Sequence, residues 1–165
     1  MCVVLDSNVW FSLYCGGVHL KVLQLGDRVC SVDYVVREEL ISGPKGEVLK
    51  EHGLRVEELD EAGVDQAYAW RAAWPQLGVA DVFSLALAWG RGWGLATRDD
   101  LLERLARSED VSVVCVVAVM RMMAEAAILI EDDIRNFKRG MYIDKRPYDK
   151  RKLREVARLV KDQSR

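Results

Sequence analysis

Short β-branched apolar runs alternate along this chain with stretches whose apolar positions recur every three or four residues. Residues 2–5, Cys-Val-Val-Leu, are apolar without a break, as in a strand buried on both faces. Helices are predicted at 8–14, ended by Gly16-Gly17, and at about 19–25. A short strand at 28–31 and a helix at 34–41 follow, stopped near Ser42-Gly43-Pro44, with a brief strand at 54–56. Residues 60–74 read as a helix whose acidic first turn suits the positive end of its dipole, and Pro75 stops it. The helix at 79–91 places Val82, Leu85, Ala86 and Trp89 on one side. A strand at 93–96, a helix at 100–106, a strand at 111–114 and an apolar helix to about Ile130 complete the alternation. The expected fold is α/β: a central parallel sheet covered on both faces, an α/β/α sandwich.

Beyond Ile130 the pattern changes. The chain becomes charged, passes Gly140 and Pro147, and ends in a helix over about 148–163 striped with Leu153, Val156, Ala157 and Val160. This divides the chain into an α/β domain at 1–130 and a basic helical extension at 131–165. The net charge of −2 hides an asymmetry, because residues 135–165 carry 12 basic and 4 acidic side chains while the remainder is acidic. Such polarity fits either an anionic partner near the tail or a solvated helix.

Cysteine usage and hydropathy narrow the setting. Cys2, Cys15, Cys30 and Cys115 form no C-x-x-C pair, and only His19 and His52 accompany them, which argues against zinc. Three of the four sit among apolar residues as free thiols, so a reducing, cytoplasmic location is expected. No basic leader precedes the first apolar run. No apolar stretch approaches the roughly 20 residues of a membrane span.

In an open parallel sheet, ligands bind beyond the carboxyl ends of the strands. Asp6 directly follows the first strand, and Asp99 follows the 93–96 strand through Thr97-Arg98. Asp81 opens a helix in Gly-Val-Ala-Asp-Val-Phe, and Glu39 lies in Val-Val-Arg-Glu-Glu-Leu. Each acid also has a purely structural use: Asp6 and Asp99 as helix caps, Asp81 as a cap or first-turn acid, Glu39 as an exposed helix residue. Their joint occurrence at one edge points instead to a hard divalent cation, since crowded carboxylates repel unless a cation joins them. Other α/β chemistries lack their signatures. No glycine-rich turn follows the first strand, no Walker A loop is present, and Asn8 stands where an aspartyl-phosphate enzyme would want a second acid.

Val-Leu-Asp-Ser-Asn-Val, Val-Val-Arg-Glu-Glu-Leu, Gly-Val-Ala-Asp-Val-Phe-Ser-Leu-Ala-Leu-Ala and Leu-Ala-Thr-Arg-Asp-Asp-Leu-Leu, in that order, resemble the motif series of PIN domains over roughly residues 1–118. Within that family the chain is similar to VapC-like toxins and their solitary relatives. The resemblance implies a Mg²⁺- or Mn²⁺-dependent ribonuclease with Asp6, Glu39, Asp81 and Asp99 as catalytic and metal-binding residues. Glu39 is preferred to Glu38 because it stands directly before Leu40, and Asp99 to Asp100 from the Thr-x-Asp spacing. Asn8, Thr97 and Asp100 are implied as supporting residues. It further implies RNA as substrate, a homodimer, and a small antitoxin as possible partner. The aromatic residues Trp10, Phe11, Trp70, Trp74 and Trp89 seem surplus to one small core and add to the dimer expectation. The basic tail departs from compact members of the family. A second reading, from another class, is a catalytically weak PIN-like module that binds RNA or protein.

Overall fold

The computed structural model describes residues Met1–Arg165. Five short strands, β1 (Val3–Leu5), β2 (Val29–Val32), β3 (Val56–Glu57), β4 (Gly94–Ala96) and β5 (Val113–Val114), pair in parallel in the order β3-β2-β1-β4-β5. β1, β2 and β4 are buried along their whole length, which explains their apolar sequences; the one polar side chain, Ser31 of β2, donates to the Leu5 carbonyl and accepts from Trp10. The chain leaves β1 toward β2 on one side and later reaches β4 on the other. The order therefore reverses between β1 and β4, where such sheets place their ligand crevice. Leu5 is in register with Ala96, and the Asp6 amide donates to the Ala96 carbonyl at 3.0 Å, so the two tips are tied together.

Eight α-helices cover the sheet: α1 (Ser7–Cys15), α2 (Gly46–Glu51), α3 (Glu61–Ala73), α4 (Val79–Arg91), α5 (Asp100–Ser108), α6 (Val116–Glu125), α7 (Glu131–Ile143) and α8 (Lys150–Gln163). α4 packs on β1, β2 and β4 with α3 against it, while α1, α6, α7 and α8 pack on one another. The periodicity of residues 79–91 gave the bounds of α4, whose apolar side is buried at Val82, Leu85 and Ala86. Elsewhere the structure departs from the periodic pattern. Residues 21–28 form a 3₁₀ segment broken by Gly26 at φ 58°. The helix expected at 34–41 is a single π-type turn, Val35–Glu39. α6 ends at Glu125 rather than near Ile130, because Ala127 takes φ 55° and turns the chain. α2 was not foreseen.

The C-terminal extension shares the core of the sheet domain. Ile134, Phe137 and Met141 of α7, and Leu153, Val156 and Val160 of α8, belong to the same buried cluster as the strands. α8 lays its apolar stripe against α6 and α7. α7 approaches α1 so closely that a Cβ on Gly140 would fall on the Cys15 carbonyl, and one on Gly16 would strike the Phe137 ring. Both glycines are therefore set by close approach. The aromatic surplus is largely absorbed: Trp10 is buried, Trp70 is 5% exposed, and Phe11 and Trp74 pack on the core. Trp89 alone is exposed, with its ring edge-on to Trp70. No helix is long and apolar enough to cross a membrane.

Candidate functional site: an acidic edge at the sheet reversal

Asp6 is fully buried and caps α1, its Oδ1 accepting from the Ser7 amide at 2.7 Å. Its Oδ2 accepts from the Thr97 hydroxyl at 3.1 Å. Thr97 Oγ1 in turn accepts from the Asp99 amide at 3.1 Å, so one buried hydroxyl links the loop after β4 to the carboxylate after β1. Asp99 caps α5, with Oδ1 accepting from the Leu101 and Leu102 amides at 2.8 Å each. Asp81, in the first turn of α4, accepts from the Gly78 amide at 2.8 Å through Oδ2. The capping uses open to these three acids are thus all realised. They leave Asp81 Oδ1 and Asp99 Oδ2 without a hydrogen bond.

Capping does not account for the electrostatics. A carboxylate at a helix N-terminus is favoured in its charged form, which should lower its pKa. Asp6 is instead pushed up to about 7, chiefly by burial and next by the charge of Asp81, with a smaller push from Asp99. The Ser7 and Thr97 hydrogen bonds pull the other way and are outweighed. Asp81 is also raised, first by burial and then by Asp99 and Glu39, against the Gly78 hydrogen bond. Three carboxylates from β1, α4 and the β4–α5 loop therefore share one low-dielectric edge.

The remaining candidates sit differently. Glu39 is exposed at the end of the π-type turn and reaches this group only through its charge on Asp81. Glu38 is turned to Arg37, in an ion pair at 2.9 Å. Asn8 and Asp100 are exposed on the first turns of α1 and α5. Thr97 belongs to the site by direct contact. The donors of this edge are all oxygens, which suits a hard cation. As the side chains are posed, no three acidic, histidine or cysteine residues close around a metal position. The edge is also distinct from a surface hollow of about 650 Å³ beside Val36, Leu40, Ile41 and Lys45.

Sequence reasoning passed over three nearby residues. Ser84, one helical turn beyond Asp81, is fully buried with no partner for its hydroxyl. An Asp-x-x-Ser spacing on a helix would have placed both on one strip. Arg98, in the loop between Thr97 and Asp99, donates through Nη1 to the buried Ser12 hydroxyl at 2.7 Å and through Nη2 to the Pro147 carbonyl at 2.9 Å. Burial and the neighbouring Arg146 lower its pKa. Ser12 is an unremarkable mid-helix residue in the sequence, and nothing in the pattern joins it to either arginine. No family model and no curated protein matches the chain.

Proposed function

We propose that this chain is a PIN-type ribonuclease that hydrolyses RNA phosphodiester bonds with the help of Mg²⁺ or Mn²⁺ held at the acidic edge. The observation that carries this reading is the fully buried Asp6 carboxylate lying close enough to Asp81 and Asp99 for their charges to help burial push it up to about 7, despite two hydrogen bonds that favour its anion. A fully buried carboxylate beside two further carboxylates is an electrostatic liability unless its charge is used. Asp6, Asp81 and Asp99 would hold the cation, with Glu39 swinging in from its exposed turn. A divalent ion bound there supplies neutralising charge for the phosphodiester and lowers the pKa of a water.

The protein's own residues do the positioning. Thr97 fixes Asp6 Oδ2 and the backbone of the Asp99 loop with one hydroxyl. The caps hold Asp6, Asp81 and Asp99 at the starts of three separate helices, so the group rests on rigid elements rather than on mobile loops. Basic side chains away from the acids must carry the RNA backbone, because the edge itself repels a polyanion. α8 offers such a face: Arg151, Arg154 and Arg158, with Glu155 among them, line a shallow hollow.

The test is cleavage of a single-stranded RNA by the purified protein with Mn²⁺ or Mg²⁺, compared with excess EDTA and with Asp81→Asn and Asp99→Asn. Cleavage lost in EDTA and in both variants supports the reading. Binding of RNA without metal-dependent cleavage favours the alternative, a catalytically weak RNA-binding module, and overturns this one.

A further inference from the structure

The extension touches the loop after β4 through the Arg98 side chain. Between α7 and α8 the chain passes through Lys145-Arg146-Pro147, and this loop lands on the β4–α5 loop that carries Asp99. Arg98 holds the Pro147 carbonyl, and Arg146 Nη1 lies 3.5 Å from the same Ser12 hydroxyl that Arg98 grips at 2.7 Å. Two guanidiniums from distant parts of the sequence therefore converge on one buried oxygen.

Neither guanidinium forms an ion pair, although nine other ion pairs occur in the molecule. Asp99 Oδ1 caps α5, while Asp144 and Arg146 both act on the Cys15 thiol without pairing with each other. Two like charges brought together without a counter-ion repel, and Arg98 and Arg146 are each partly shielded from water. Arg98 uses two of the five N–H groups of a guanidinium, leaving about three donors in fixed directions. A planar fork with free donors beside a second cation is the arrangement that recognises a phosphate.

We propose that Arg98 and Arg146, aligned by Ser12, form a phosphate subsite that seats the RNA backbone next to the acidic edge, and that the C-terminal extension is docked to bring Arg146 to it. This rests on the ribonuclease reading for its ligand, and on geometry alone for its anion chemistry. Ser12 lies six residues along α1 from Asp6, about 9 Å at the rise of an α-helix. The close contacts of Gly140 with Cys15 and Gly16 with Phe137 hold α7 against α1 and so fix where Arg146 arrives.

The experiment measures binding of a short single-stranded RNA as a function of salt, in an Asp6→Asn background so that nothing is cut. Into this background go Arg146→Gln, Arg146→Lys and Arg98→Gln. Arg146→Gln should weaken binding on the order of tenfold, the loss of one charge-assisted hydrogen bond. It should also flatten the dependence of log affinity on log salt by about 0.7, one phosphate contact on a single strand. Arg146→Lys should restore the slope and only part of the affinity, since an ammonium keeps the charge and loses the fork. Melting temperature without ligand should not fall in Arg146→Gln, which gives up one long hydrogen bond and relieves the repulsion on Arg98. That variant carries the test if Arg98→Gln loosens the docked loop. In parallel, inorganic phosphate should raise the melting temperature of the Asp6→Asn protein, and less so with Arg146→Gln added. RNA binding with unchanged affinity and slope in both glutamine variants overturns the subsite while leaving the ribonuclease reading intact. Stabilisation by phosphate through the two arginines, in a protein that neither binds nor cuts RNA, supports the anion site and overturns the ribonuclease reading.

Discussion

Asp6→Asn should make the metal-free protein more stable above neutral pH, and the gain should disappear on acidification. In the folded state the Asp6 carboxyl titrates at about 7, against 3.8 as the ordinary value. At about 1.4 kcal/mol for each tenfold, holding Asp6 ionised in the fold costs roughly 4 kcal/mol. The sign follows from proton counts. Between these two values the folded protein keeps a proton that the unfolded chain has released, so stability falls as pH rises from about 4 to about 7. The asparagine variant lacks this dependence. Its amide oxygen can still accept from Ser7, but the Thr97 hydroxyl loses its acceptor, a loss of about 1 kcal/mol. The net gain at pH 8 in EDTA should be about 2–3 kcal/mol, or roughly 5–10 °C in a chain of this size. Thermal melts of both proteins across pH 4–9 give the difference directly. Parallel pH–stability curves, or a variant less stable at pH 8, would refute the claim that Asp6 is a buried, strained carboxylate.

Three further outcomes follow from the same contacts. Thr97→Val should destabilise the fold by about 1–3 kcal/mol, because it removes a donor to Asp6 and an acceptor for the Asp99 amide, read by denaturant unfolding. Gly140→Ala should cost about 1–3 kcal/mol or more by forcing α7 off the Cys15 carbonyl, read as a lower melting temperature together with faster proteolysis of the extension. RNA cleavage at sub-saturating metal should rise with pH through about 7, as Asp6 loses its proton, and the rise should move to lower pH when metal is raised; a flat profile over pH 6–8 counts against Asp6 as a ligand.

The middle of the sheet was legible in the sequence because β1 and β4 are buried and read as short apolar runs. Their tips were legible for the same reason: Asp6 directly ends the first run and Thr97-Arg98-Asp99 follows the second, on adjoining strands. What periodicity could not show were the places where the backbone departs from a regular helix. The turn before Glu39 is π-type, and Ala127 ends α6 with a left-handed conformation that alanine seldom adopts. Neither leaves a compositional mark. The tail's apolar stripe gave its buried face, but not that this face completes the core over α6. Deleting residues after Arg146 would therefore strip Leu153, Val156 and Val160 from that core, and point substitutions are the cleaner probe of the basic face. The meeting of Arg98, Arg146 and Ser12 depends on a contact across 134 residues and had no local signal.

The central proposal is that buried Asp6, with Asp81 and Asp99 beside it, takes up a divalent cation, and calorimetric titration with Mn²⁺ at pH 7 tests it most directly. In two buffers of different ionisation enthalpy the apparent heats should differ, because part of the Asp6 population keeps its proton at that pH and must release it to serve as a ligand. At pH 9 the release should fall to near zero, and Asp6→Asn should bind weakly with no proton release at either pH. Mn²⁺ binding that is equally tight in Asp6→Asn, or no binding to the wild-type protein at millimolar metal, would contradict the account.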